Sequence, residues 1–197
     1  KPMSVFKKLS PARFIVLGFA FVIILGAIIL LLPISQNNGI NVTVIDAFFT
    51  STSAICVTGL IAIDTADHFS VLGQTTVALL IQIGGLGVTS IGVGVILLAK
   101  KRVSFKERIV LKEAMNLDSM KGIVKMVKSV LFMTLCFEGA GAFLSFLVFS
   151  QDYPPLKALG ISLFHSVASF NNAGFDVLGG LQNLIPYQDN VLLNLTT

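Results

Sequence analysis

The 197-residue chain is 54% hydrophobic and only 12% charged, with a formal net charge of +4 and a mean hydropathy of +0.88. A soluble domain carries about 25% charged residues to cover its surface, so composition excludes a water-soluble globular fold of this length. The basic residues fall in two clusters: Lys1, Lys7, Lys8 and Arg13, then nine between Lys100 and Lys128, with Lys157 alone elsewhere. Basic clusters of this kind flanking apolar runs mark the cytoplasmic side of a membrane protein. They do not call for a nucleic-acid partner.

Residues 14–34 form the first apolar run, 21 residues long. That matches the roughly 20 residues a helix needs to cross a bilayer. Lys7, Lys8 and Arg13 place its start on the cytoplasmic side, and Pro33 marks its far end. The run is long for a cleaved signal peptide, and no small-residue cleavage site follows it. Residues 44–55 (VIDAFFTSTSAI) are apolar but only 12 long, too short to span. Thr43 and Asp46 fit a capping box, which predicts a short helix starting there. The segment CVTGL breaks it, and 61–70 contains Asp64, Asp67 and His68.

A second long run, 72–99, returns to the basic side at Lys100-Lys101-Arg102. Its glycines 84, 85, 87, 92 and 94 predict one continuous helix packed closely against neighbours, with a glycine hinge as the weaker alternative. Residues 100–122 read as a basic, partly helical cytoplasmic linker. The third run covers 123–149. A short apolar piece follows at 156–170, broken by NNAGF, and VLLNLTT begins a fourth run. The predicted boundaries are a first unit at 1–99, the linker at 100–122 and a second unit at 123–197.

The two short helices repeat one another. Phe49–Leu60 aligns with Phe164–Phe175 at a constant spacing of 115 residues, pairing Ser51 with Ser166 and Gly59 with Gly174. Unpaired backbone in lipid costs several kcal/mol per group, so a broken segment at this depth must line a cavity or be buried in protein. A helix that stops midway aims its C-terminal carbonyls, the negative dipole end, into that cavity, which favours a cation. Carbonyl oxygens of the next residues can replace an ion's water shell, and a glycine permits the required turn. Backbone oxygens without charged side chains suit a weakly hydrated monovalent cation.

Other polar residues are weaker candidates. Glu138 lies mid-way along 129–149, where a carboxylate is expensive and reads either as functional or as a hydrogen-bonded link between helices. Asp46 reads as a helix cap. Asp64, Asp67 and Asp176 lie near the expected outer mouth, either concentrating cations there or forming a solvated rim. Cys56 and Cys136 show no metal spacing and read as two buried apolar thiols. The Ser/Thr clusters read as partners for helix backbone. No nucleophile–base pair is visible, so no enzymatic activity is expected.

TSTSAICVTGL and SVASFNNAGF, each with a single glycine at the break, resemble the Trk/Ktr/HKT superfamily of potassium transporters, most closely the KtrB membrane subunits of bacterial Ktr systems. The likeness covers essentially the whole chain and is specific in these two segments. It implies an all-α integral membrane protein of four helix–pore-helix–filter–helix units around a pseudo-fourfold pore, of which two are visible here. It implies K⁺ uptake across the cell membrane through a filter of backbone carbonyls. By position, Val57, Thr58, Gly59 and Leu60 form one strand, and Asn172, Ala173, Gly174 and Phe175 another. It further implies Na⁺ as a coupling or activating ion, a homodimer in membrane lipid, and a cytosolic nucleotide-binding ring (KtrA-like) beneath it. The competing reading is a secondary transporter with discontinuous helices and a midplane site. The parallel order of the units, with two spans before each restart, favours the channel-like pore.

Overall fold

Pro11 opens the first helix, α1 (Pro11–Leu31), in the computed structural model, which describes residues 10–98 and 103–197. Lys1, Lys7, Lys8 and Lys100–Arg102, on which the charge-based orientation rests, lie outside the described residues. Proline suits the first helical position, where its missing N–H has no partner to lose. The helix ends at Leu32, which is held extended before Pro33. At about 31 Å, α1 is long enough to cross the hydrocarbon core. Only Gly26, Ala27 and Leu30 are buried along it, while Phe14, Leu17, Phe21, Ile24 and Ile28 are exposed. A helix apolar on its exposed faces is solvated by lipid.

Helix α2 (Val44–Ile55) begins on the expected capping box: Thr43 Oγ1 accepts from Asp46 N–H at 3.2 Å, and Thr43 N–H donates to Asp46 Oδ2 at 3.3 Å. A single turn, α3 (Thr65–His68), leads into α4 (Val71–Leu86) and α5 (Val88–Leu98). Helix α6 (Phe105–Ala114) lies in the linker. Helices α7 (Ile123–Phe149), α8 (Pro155–Phe170) and α9 (Val191–Thr196) follow. No strand occurs among the described residues; one isolated bridge joins Gln36 to Phe69. Two helices, α1 and α7, are long and apolar enough to cross a membrane, or three spans if α4 and α5 count as one.

The run 72–99 is not one continuous helix. It bends by 100° between α4 and α5. Gly87 sits there at φ +81° and turns its N–H back to Gly84 O at 3.1 Å. Hydropathy is blind to such a break, because both halves are apolar. Close packing lies just before it. A Cβ on Gly84 would run into the Ile55 carbonyl, and one on Gly85 into the Asn171 side chain. The end of α4 is therefore wedged against the ends of α2 and α8. Gly84→Val is expected to cost about 1–3 kcal/mol by overpacking, read as a lower melting temperature of the detergent-solubilised protein.

Helix α2 packs on α1, α8 packs on α7, and α4 bridges the two pairs. One core cluster runs through all of them, including Leu30, Ile55, Phe69, Ile81, Phe149 and Phe164. A second joins Val93, Val103, Leu111, Ile123 and Val127. Leu111 is fully buried, so α6 is docked on the helices above it and is more than a solvated basic tether.

At the opposite end the loops are tied. Asn37 N–H donates to His68 O and Ser70 N–H to Ser35 O, each at 3.0 Å, while Asn37 Nδ2 donates to Ala66 O and Asp67 O. The expectation of buried thiols fails: Cys56 and Cys136 are both exposed. Cys136 lies on the outer surface of α7, where lipid takes the place of a protein core and a thiol behaves as a small hydrophobe.

Candidate functional site

The last turn of α2 closes on itself. Cys56 N–H donates to Thr52 O (2.9 Å), Val57 N–H to Ala54 O (3.2 Å) and Thr58 N–H to Ser53 O (3.1 Å). Val57 then takes φ +54° and Gly59 φ +69°. At the end of α8 the same bonds recur 115 residues on: Asn171 to Val167 (3.2 Å), Asn172 to Ser169 (2.9 Å) and Ala173 to Ala168 (2.8 Å). Asn172 takes φ +54° and Gly174 φ +69°. The left-handed conformation is ordinary for glycine and tolerable for asparagine, but for β-branched Val57 it is a genuine outlier. Such strain persists only where the surroundings over-determine it.

The surroundings recur as well. Ser51 Oγ donates to Ile23 O and Ser166 Oγ to Glu138 O, both at 2.7 Å. Each serine reaches its carbonyl over a glycine: a Cβ at Gly26 would stand 2.5 Å from Ser51 Oγ, and one at Gly141 2.6 Å from Ser166 Oγ. Small residues that admit interhelical hydrogen bonds are the usual glue of membrane helices.

The two turns lie side by side. A Cβ on Gly59 would stand 2.8 Å from Ala173 O and 3.1 Å from Gly174 Cα, and a Cβ on Gly174 3.1 Å from Gly59 Cα. The C-terminal dipole ends of α2 and α8 thus converge, and both carry partial negative charge. A cleft of about 560 Å³ opens beside them, lined by Gly59, His165, Asn172, Gly174, Phe175 and Asp176 among others.

The turns differ in one respect. Ser53 Oγ donates to Leu60 O at 2.7 Å and lies 2.9 Å from Thr58 Oγ1, pinning the first turn. Ala168 stands at the matching place behind the second and has no hydroxyl. The Leu60 side chain points outward, 61% exposed. Phe175 is buried.

The three aspartates of the expected rim have separate situations. Asp64 is nearly buried: Oδ1 accepts from Ala66 and Asp67 N–H, and Oδ2 from Leu181 N–H at 2.8 Å. Asp67 Oδ2 accepts from Gly180 N–H at 3.0 Å. Both carboxylates therefore strap the 177–184 loop of the second half onto the first. Asp176 lines the cleft. Burial raises its pKa above the ordinary aspartate value, opposed by the Leu178 N–H it accepts, with the Asp64 charge adding to the rise.

A polar cluster that spacing alone did not reveal stands behind the second turn. Asn171 Nδ2 donates both to Val167 O (2.8 Å) and to Gln82 Oε1 (2.9 Å). On α7, Glu138 Oε1 is buried without a hydrogen-bond partner. The available signal was Gln82, an amide mid-way along an apolar run.

The TrkH family of cation transport proteins matches residues 6–197. The potassium/sodium uptake protein NtpJ of Enterococcus hirae is 43% identical over 187 residues, covering 95% of this chain and 41% of that protein. The Ktr system potassium uptake protein B of Bacillus subtilis is 36% identical over 188 residues, covering 95% and 41%. The Ktr system potassium uptake protein D of that organism is 34% identical over 192 residues, covering 96% and 42%. The chain therefore spans about two-fifths of the length of these curated relatives. With nearly every residue inside the match and an all-helical apolar architecture to accompany it, the chain belongs to the TrkH family of cation transport proteins.

Proposed function

We propose that this chain takes part in K⁺ uptake across the cell membrane, with the ion held by backbone carbonyls of Val57–Leu60 and Asn172–Phe175. The observation that carries this reading is the contact of Gly59 with Ala173 and Gly174. Two turns of like conformation, each ending a short helix, meet where the helix dipoles are negative. Relatives named for potassium or potassium/sodium uptake support K⁺ as the cargo, with Na⁺ as a second transported or coupling ion.

In this reading 1–99 and 123–197 are two of four pore units, and 100–122 faces the cytoplasm with the N-terminus. The complete protein pairs as a homodimer in the lipid bilayer and stands on a nucleotide-binding KtrA-like ring. The test is K⁺ uptake by a potassium-uptake-deficient bacterium carrying the complete protein, with turn variants compared at equal membrane abundance.

Asp176 supplies charge at the cleft. Asp176→Asn is expected to weaken apparent K⁺ affinity about three- to tenfold, most at low ionic strength, because an unscreened carboxylate concentrates cations. Its pKa is raised, so the carboxylate gives way to the neutral acid at a higher pH than an ordinary aspartate does. The advantage of wild type over Asp176→Asn should therefore be full at neutral pH and fade as pH falls through that raised value. Uptake titrations at two salt concentrations and two pH values check both signs.

The 100° break at Gly87 favours a second reading, a secondary transporter whose discontinuous helix frames a midplane site. Gly87→Ala would then alter ion selectivity while Gly59 and Gly174 substitutions would leave it unchanged.

A further inference from the structure

We propose that Ser166, seated over Gly141, is a positioning residue: its hydrogen bond to α7 sets the depth and rotation of α8, and so the geometry of the Asn172–Phe175 turn. The inference rests on the reading of that turn as part of the ion path.

A serine or threonine inside a helix often turns its hydroxyl back to the carbonyl four residues earlier. Thr52, Thr75, Thr76 and Ser162 all do so, at 2.7–2.9 Å. Ser166 does not. It is buried, and its Oγ crosses to the Glu138 carbonyl oxygen of α7 at 2.7 Å. That carbonyl lies inside α7, whose own helical ladder already supplies it with an N–H. The crossing bond is thus not needed to satisfy backbone; it ties one helix to the other at a fixed height. Gly141 makes it possible. A Cβ there would stand 2.6 Å from Ser166 Oγ but an ordinary 3.6 Å from Ser166 Cβ. The room the glycine leaves is the hydroxyl's.

The arrangement occurs twice. Ile23, Gly26 and Ser51 stand 115 residues before Glu138, Gly141 and Ser166, with the same 2.7 Å bond. The position whose side chain differs, Ile23 against Glu138, contributes its backbone oxygen. In both copies the residue at φ +54° comes six positions after the serine. On α8 a second anchor acts from the other flank, where Asn171 Nδ2 donates to Gln82 Oε1 of α4 at 2.9 Å. Five residues apart, the two anchors lie roughly 140° apart around the helix, so together they hold its rotation as well as its depth. The turn starts at the next residue. It lacks the hydroxyl pin that Ser53 gives the first turn, so a shift of α8 at Ser166 passes directly to its carbonyls.

In the complete protein, Ser166→Ala is expected to lower the ratio of K⁺ to Na⁺ uptake about three- to tenfold, the range set by one lost hydrogen bond. Gly141→Ala should lower it at least as much, since its methyl group displaces the hydroxyl. The double variant should return to the Ser166→Ala value, because two methyl groups 3.6 Å apart fit where methyl and hydroxyl clash. Gly139 is the control: a Cβ there meets nothing within 4 Å, and Gly139→Ala should keep the wild-type ratio. All are compared at equal membrane abundance, so that a loss of folded protein does not move the readout.

An unchanged ratio in Ser166→Ala overturns the proposal. So does a double variant whose loss is the product of the two single losses, or a loss in Gly139→Ala equal to that in Gly141→Ala. If Gly141→Ala does not reach the membrane, Ser166→Ala and the double variant decide alone, and a double variant below Ser166→Ala is then equally fatal. Gly174→Ser is measured alongside. If it leaves the ratio unchanged, the ion-path reading of the turn has failed; if it shifts the ratio and Ser166→Ala does not, only the positioning role has failed.

Discussion

Gly59→Ser is expected to weaken K⁺ affinity and preference over Na⁺ by at least about tenfold at unchanged membrane abundance. Two effects act at one atom. The residue holds φ +69°, which costs an L-residue about 1–2 kcal/mol relative to glycine. The added Cβ would also stand 2.8 Å from Ala173 O and 3.1 Å from Gly174 Cα. These are backbone atoms of the neighbouring turn, with no flexible end to yield. Relief must come from moving one turn against the other, and a shift of a few tenths of an ångström in carbonyls that replace a hydration shell changes which ion fits. Since 1.4 kcal/mol is a factor of ten, either effect alone reaches the expected size. Uptake kinetics with K⁺ and competing Na⁺ measure it, and Gly174→Ser should behave alike because the contact is mutual. Normal affinity and preference in both variants would return these turns to ordinary helix ends.

Asp64→Ala is expected to be the most destabilising change at the loop end of the bundle, by about 2–4 kcal/mol. One carboxylate receives three backbone N–H groups, two capping α3 and one from Leu181 in the other half of the chain. Hydrogen bonds to charged groups are the strong class, and removing the acceptor leaves three part-buried donors unpaired. Asp67→Ala removes a single, more exposed bond to Gly180 and should cost about 1 kcal/mol. Thermal unfolding in detergent separates the two. Limited proteolysis should cut the 177–184 loop of the Asp64 variant first, because that loop loses its strap while the helices keep their packing. Equal stability of the two variants would contradict the ranking.

This pair shows how far a sequence reaches at one kind of site. Asp64 and Asp67 are visible in the chain as acidic residues between apolar runs, and proximity to a mouth is all that spacing supports. Their partners are 113 and 117 residues away, in a loop whose path no local pattern encodes. Glu138 is similar: its presence in a span marks it as costly, but its neighbour Ser166 on α8 comes from packing. The exposed thiol of Cys136 reverses the usual rule for a free cysteine because the solvent of α7 is lipid.

What the sequence determined by itself is local and chemical. Hydropathy and length identify α1 and α7 as helices able to span. Thr43 with Asp46 sets the start of α2, and the scarcity of charge excludes a water-facing surface. These follow from a residue's own neighbours, within one helical turn or one apolar run. Only the tertiary structure decided that α4 and α5 break at Gly87, that Gly59 lies against Gly174, and that Asp64 holds the 177–184 loop. Each depends on which distant segments meet, and a glycine looks the same in the chain whether it lets two helices touch, turns the backbone, or faces open space.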